Sequence, residues 1–335
     1  MTFPGGGACR SESPATPDPQ HPDKSMMHNR RSAFTLVELL AVIAIIAVLM
    51  GLLVVAIGAA QRSARGTEDR ARLRGLAQAA NTYAASNKSS FPSPRTDTPG
   101  DWTATQAFKD CAKKTIRDEV LNGNKYLGWI CADNGNCPGS IDANCKETMV
   151  ALERGTLFPY VDSANAYLSP MDSTGRLRTY SMNAWVGVLY CDDYQPLLDK
   201  FKGGSKYPDN CSLSFDTRTL SRIRQPANTL LFIGDNDGFK RTSSCPGWNF
   251  NGFCINPNPE TQTRWFDAPA VFQTPMKQVN LANCDGSTGS YNVRTKKLES
   301  GAVQSDPVNG FADFTRETLA DLQGFRDMAL PGQIK

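Results

Sequence analysis

Imidazole is nearly missing from this sequence. Only His21 and His28 are histidine among 335 residues, and both precede a long apolar run that begins at Phe34. The body of the chain therefore has no His to act as a general base near neutral pH or to bind zinc. Ser–His and Cys–His catalysis and imidazole-bound zinc are excluded there, while carboxylate chemistry and a four-cysteine metal site stay open. Charge of one sign is also lacking, the formal net charge being +3. No nucleic-acid surface built on charge excess is expected. A P-loop, a C-x-x-C pair and an internal repeat are all absent from the sequence, so any nucleotide-driven work would come from a partner ATPase.

Cysteine, by contrast, is abundant. Cys9 lies near the start, and Cys111, Cys131, Cys137, Cys145, Cys191, Cys211, Cys245, Cys254 and Cys284 lie in the body. Without a metal motif such a set reads as disulfides formed beyond a membrane. An odd number in the body leaves at least one thiol free or paired with another chain. The spacing 131-x5-137-x7-145 is not that of a zinc knuckle.

The N-terminal segment has three parts. Residues 1–33 are polar, rich in Pro and Gly, and end in Arg30, Arg31, Ser32 and Ala33. From Leu39 to Ala60 no residue is charged, which is long enough to cross a hydrocarbon core as a helix. Arg30 and Arg31 before the run and Arg62 and Arg65 after it nearly balance, so the positive-inside rule sets orientation only weakly. Glu38 alone breaks the apolar pattern. A carboxylate there is favoured by the helix N-terminal dipole but costly in lipid unless paired. Neither an ordinary secretory signal nor a twin-arginine signal accounts for it.

The stretch Ala33, Phe34, Thr35, Leu36, Val37, Glu38, Leu39 resembles the type IV prepilin and pseudopilin signal. That resemblance implies a prepilin peptidase that cuts between Ala33 and Phe34 and N-methylates Phe34. It also implies that Glu38, fifth from Phe34, acts in assembly by pairing with the α-amino group of a neighbouring subunit. The family usually has glycine before the cut, and this chain has Ala33. The leader is long for the family, and a start at Met26 or Met27 would make it compact and basic.

Beyond the membrane the helix is expected to continue over residues 61–85, with Leu73, Leu76, Ala80 and Tyr83 at helical spacing. Gly51, Gly58, Gly66 and Gly75 are points where it could bend. Residues 86–335 form the expected disulfide-containing globular domain. A Ser- and Pro-rich break follows at Ser86–Gly100, then a short helix near Thr105–Leu121 and a cysteine-bearing loop over Asn122–Asn144. Strands are expected at Ala184–Tyr190, Thr229–Gly234, Val279–Asn283 and Tyr291–Leu298. A last helix is expected inside Phe311–Leu330.

A second resemblance lies in the body. Residues 157–161 (LFPYV), 167–172 (YLSPMD), 179–183 (TYSMN) and 226–235 (PANTLLFIGD) look like the large pseudopilin-like proteins common in planctomycetes. Near their end those proteins carry a His-x9-Asp-Gly signature. Here Asp285 and Gly286 occupy its end, and Pro275 stands at the histidine position.

Three other constellations stand out in the sequence. Asp235, Asn236, Asp237 and Gly238 look like half of a calcium loop, but Pro246 stands where an EF-hand needs Glu. A polar turn after a strand is the favoured reading, with Asp235 and Asp237 kept as calcium candidates because some pseudopilins bind calcium in a loop near the C-terminal sheet. Asp162, Asp192 and Asp193 have nothing to place them on one face. Trp248, Phe250, Phe253, Trp265 and Phe266 form an aromatic-rich loop that either faces a partner or covers a core, the latter being the default.

The expected fold is α+β and pilin-like, a long N-terminal transmembrane helix packed on a small antiparallel sheet. The expected protein is a non-enzymatic pseudopilin subunit of a type II secretion system or related filament. It would be a single-pass inner-membrane protein, N-in/C-out, with its domain in the periplasm and no cofactor. Its partners would be the peptidase, other pseudopilin subunits, the inner-membrane assembly platform and the membrane. A type IV pilin or adhesive fibre, and a membrane-anchored periplasmic binding protein or enzyme, are the alternatives.

Overall fold

The computed structural model describes residues 35–94, 128–131, 138–142, 146–161, 163–187, 217, 219–235, 252–253, 255, 265, 267–271, 277–299 and 318–330. The chain divides into two compact units, one up to Val55 and one from Ala56 onward. In the first, the described residues are helical from Leu36, and the same helix, α1 (Leu36–Ser86), continues into the second. Its four glycines do not interrupt it. Every Leu, Ile, Val and Met between Leu36 and Ile57 is exposed.

In the second unit the sequence pattern changes from uniformly apolar to amphipathic, and burial changes with it. Asp69, Leu73, Leu76, Ala77, Ala80 and Ala84 are buried, the one-sided stripe that a helix period of 3.6 produces. The helix ends at Ser86, where Lys88 (φ 54°) and Ser89 (φ 63°) turn the backbone into the left-handed region. Asn87 supports the turn by donating from Nδ2 to the Tyr83 carbonyl at 2.8 Å.

Two short helices follow, α2 (Met149–Glu153) and α3 (Phe158–Val161), then a 3₁₀ turn over Ala164–Tyr167. Four strands make one antiparallel sheet in the order β1 (Tyr180–Met182), β2 (Leu230–Gly234), β3 (Gln278–Asn283), β4 (Thr288–Asn292). Helices α4 (Lys296–Glu299) and α5 (Leu319–Ala329) close the described chain.

The sheet is covered on both faces. Leu231, Phe232 and Ala282 join the α1 stripe, Trp129 and Tyr167 in one core. Leu230, Ile233, Val279, Leu281 and Tyr291 join Phe253, Trp265, Leu322 and Phe325 of α5 in the other. Central strand β2 is buried at all five positions, as its unbroken Leu-Leu-Phe-Ile run requires. A register shift between Leu230 and Phe232 lets Leu231 and Phe232 serve the same side.

Two expected strands are displaced. Residues 184–187 form a turn after β1 instead of opening a strand, and 188–190 lie outside the described residues. Strand β4 starts at Thr288, three residues before the expected Tyr291, and Lys296–Glu299 is helical. The cause is the hairpin turn. Gly286 takes φ +87°, Asn283 N–H donates to the Ser287 carbonyl at 2.8 Å, and Asp285 Oδ1 accepts from Ser287 N at 2.9 Å. An Asp-Gly turn of this kind pairs the strands immediately on either side. The helix expected near Thr105–Leu121 lies outside the described residues.

Candidate functional site

The helix N-terminus is built around Thr35 and Glu38. Thr35 precedes the first helical residue, and Glu38 is the third residue of the helix, the spacing of a capping box. Thr35 N–H and Thr35 Oγ1 each donate to Glu38 Oε2 at 2.9 Å. Glu38 N–H donates back to Thr35 Oγ1 at 3.3 Å. Two donors left over at the helix end are thus satisfied inside one turn. Glu38 is held against its own helix terminus, with its Oε1 directed to no described residue. Ala33 and Phe34, the expected processing residues, lie outside the described residues.

From this cap the helix presents apolar side chains on all sides through Ile57. By length and composition this helix can cross a membrane. So large an apolar surface does not stay in water; lipid or neighbouring helices must cover it. A carboxylate anchored at one end of such a surface is a marked point on an otherwise uniform cylinder.

Further along α1, one buried carboxylate ties the helix to the domain. Asp69 Oδ1 accepts from Tyr180 Oη at 2.6 Å and from Ser169 Oγ, and Asp69 Oδ2 accepts from Asn280 Nδ2 at 2.8 Å. Burial, and then the Asp69 charge beside it, push the Tyr180 hydroxyl far above its usual range, so it remains a donor. One turn on, Arg72 donates from Nη1 to the carbonyls of Asn165 at 2.8 Å and Leu168 at 2.6 Å.

Residues 28–58 match the family model described as the prokaryotic N-terminal methylation motif. The chain carries a prepilin-type N-terminal segment. The match covers Phe34, Glu38 and most of the apolar run, so the prepilin-type segment and the capping box coincide. No curated protein and no solved structure shows significant similarity to the chain.

Behind the prepilin-type segment, the body residues that the second resemblance singled out hold the fold. Asp172 Oδ2 accepts from Thr179 Oγ1 at 2.6 Å and Arg176 Nε at 2.5 Å, and Asp172 Oδ1 accepts from Thr174 N at 2.9 Å. Arg176 reaches on to the Asp235 carbonyl at 2.8 Å. Ser181 Oγ donates to Asp235 Oδ2 at 2.8 Å. Asn183 donates to the carbonyls of Leu230 at 2.8 Å and Ala329 at 2.7 Å, joining β1, β2 and the end of α5. These segments form one hydrogen-bonded joint.

The remaining candidates fall as follows. Asp235 is buried and serves that joint, while Asp237 lies outside the described residues. Among the described residues no group of three or more His, Cys, Asp or Glu side chains converges on a point. Asp162, Asp192, Asp193, Trp248, Phe250, Phe266 and Pro275 lie outside the described residues. Phe253 and Trp265 of the aromatic loop are fully buried in the α5 core, so these two cover a core and are not available to a partner. Cys131 is buried, and Cys284 is a buried free thiol.

Sequence reasoning missed Asp69 and Thr35. Asp69 sits four residues before Leu73 and seven before Leu76, in phase with the buried stripe, which is the signal of an inward-facing polar residue. Thr35 and Glu38 together spell the capping-box pattern.

Proposed function

We propose that this protein is a structural subunit of a pilin-like filament, a pseudopilin of a type II secretion system or a related machine, and not an enzyme. The observation that carries the reading is the methylation motif over residues 28–58, with Glu38 at the head of a helix exposed on every side. A prepilin peptidase cuts between Ala33 and Phe34, and Phe34 becomes the N-methylated terminus. Phe34 to Ala60 anchors the subunit in the inner membrane, N-in/C-out, with the domain in the periplasm, where its disulfides form.

Assembly follows from the energetics of Glu38. In lipid, an unpaired carboxylate is costly. The Thr35 bonds offset part of that cost in the single subunit, and an α-ammonium from a neighbouring subunit offsets more. Only one register between helices brings the two charges together, so the apolar surfaces supply the drive and Glu38 supplies the alignment.

The test is Glu38→Ala in a cell that assembles the filament. The variant is expected to be processed and inserted in the membrane but to yield no filament. Normal filaments would sink the reading. Retained function without any filament would instead favour a membrane-anchored periplasmic binding protein. Mass spectrometry of the mature chain should find N-methyl-Phe34 at its start.

A further inference from the structure

The membrane-proximal start of the second unit carries two arginines whose placement differs from that of ordinary surface charge. Arg62 and Arg65 are both exposed, and neither makes an ion pair among the described residues. The nearest carboxylates on the helix are occupied, Glu68 by Arg72 and Asp69 by the buried joint. Arg62 folds back along the helix, so that a Cβ on Gly58 would meet its Nη1 at 3.9 Å. Its guanidinium therefore reaches back towards Gly58.

Distance along the helix fixes what surrounds these groups. The uncharged run ends at Ala60. At 1.5 Å per residue, Arg62 lies about 3 Å and Arg65 about 7.5 Å beyond it. The polar layer on one side of a bilayer is about 5–7.5 Å deep, so Arg62 falls within it and Arg65 at its outer edge, whereas Arg74 lies about 21 Å out. Residues three apart share a helix face. Two like charges there repel unless an anion sits between them, and a guanidinium at the hydrocarbon edge needs a counter-charge more than one in water does.

We infer that Arg62 and Arg65 form a clamp for the phosphate of an anionic phospholipid, at the level where α1 leaves the outer face of the membrane. The inference rests on the membrane-helix reading above. The guanidinium fork matches phosphate oxygens in pairs, and the clamp fixes how deep the helix sits before it enters a filament.

The experiment uses the full chain in uncharged detergent micelles, titrated with phosphatidylglycerol or phosphatidylcholine, and counts retained lipid by native mass spectrometry. Wild type is expected to prefer phosphatidylglycerol by about fivefold per engaged arginine, the equivalent of ~1 kcal/mol each. Arg62→Gln with Arg65→Gln should remove the preference, and Arg74→Gln should keep it. Equal retention of both lipids by wild type, or a preference surviving in the double variant, would overturn the clamp. Alkaline extraction from vesicles separates this from the underlying reading. Wild type that resists extraction yet shows no preference defeats the clamp alone, whereas wild type released by alkali defeats the membrane helix and the clamp with it.

Discussion

Tyr180 in β1 donates to Asp69 in α1 at 2.6 Å across 111 residues of chain. This bond, with those from Ser169 and Asn280, is how the C-terminal half of the helix is registered on the sheet. Tyr180→Phe leaves the ring in place but removes one donor from a buried carboxylate. A loss of ~1–3 kcal/mol is expected, read as a lower unfolding midpoint by tryptophan fluorescence in micelles. Asp69→Ala should cost more than Tyr180→Phe, since it strands three donors at once. An unchanged midpoint in both variants would show that apolar packing alone sets the helix register.

Asp172 gives the fold an acid-sensitive point. Burial pushes its carboxyl up, but the Thr179 hydroxyl, the Arg176 charge and the Thr174 N–H outweigh burial and hold it below the usual aspartate value. Its stabilising contribution is present above the ordinary value of 3.8 and is lost as pH falls through the lower folded value. Wild type should therefore exceed Asp172→Asn in stability at pH 6, and the gap should close as pH drops below about 4. A gap independent of pH would mean that the Asn variant fails for lack of shape and not of charge.

What was legible in the sequence divides by range. The apolar run of β2 and the alternation of Val279, Leu281 and their neighbours located two strands, because burial on one or both faces writes a local pattern. Leu73, Leu76 and Ala80 placed the buried stripe of α1 for the same reason. Glu38 is legible from its spacing to Phe34, and its cap by Thr35 from the Thr-x-x-Glu pattern. β4 starts at Thr288, ahead of the apolar pattern at Tyr291, because Asp285-Gly286 is a tight hairpin turn, and the strand's first three residues carry no alternating apolar signal. β1 carries no alternation to find, since all three of its residues are buried; only resemblance pointed to it. Asp69 was out of reach in its role, because its partners lie 100 and more residues away. The odd cysteine was countable, and the fold identifies Cys284 as a free one.

Cys284 should be chemically silent. Burial, and then the charge of Asp285, push its thiol far above the usual range, and little thiolate forms at neutral pH. With a thiol reagent at pH 8 the native protein should leave Cys284 unlabelled, and denaturant without reductant should expose it to labelling, located by peptide mapping. Rapid labelling in the native state would mean that the β3–β4 turn opens readily from α1.

Gly324 in α5 faces Tyr291, and a Cβ there would lie 2.5 Å from the Tyr291 hydroxyl oxygen. On an exposed helix, Gly→Ala usually gains up to about 1 kcal/mol of helix stability. Here the sign reverses. Tyr291 cannot move freely, because its hydroxyl donates to Asp321 Oδ1 at 3.0 Å and its ring packs on Phe325 at 4.3 Å between centroids. Asp321 in turn accepts from the backbone N–H groups of Arg294 at 2.9 Å and Thr295 at 3.0 Å, so displacing the ring disturbs the turn after β4 as well. Gly324→Ala should destabilise the domain by about 1–3 kcal/mol. Combining it with Tyr291→Phe removes the obstructing oxygen, and the two changes together should cost less than their sum. Additive losses in that cycle would place the strain on the Tyr291 ring carbons, 2.8 and 2.9 Å from that Cβ, and not on the hydroxyl.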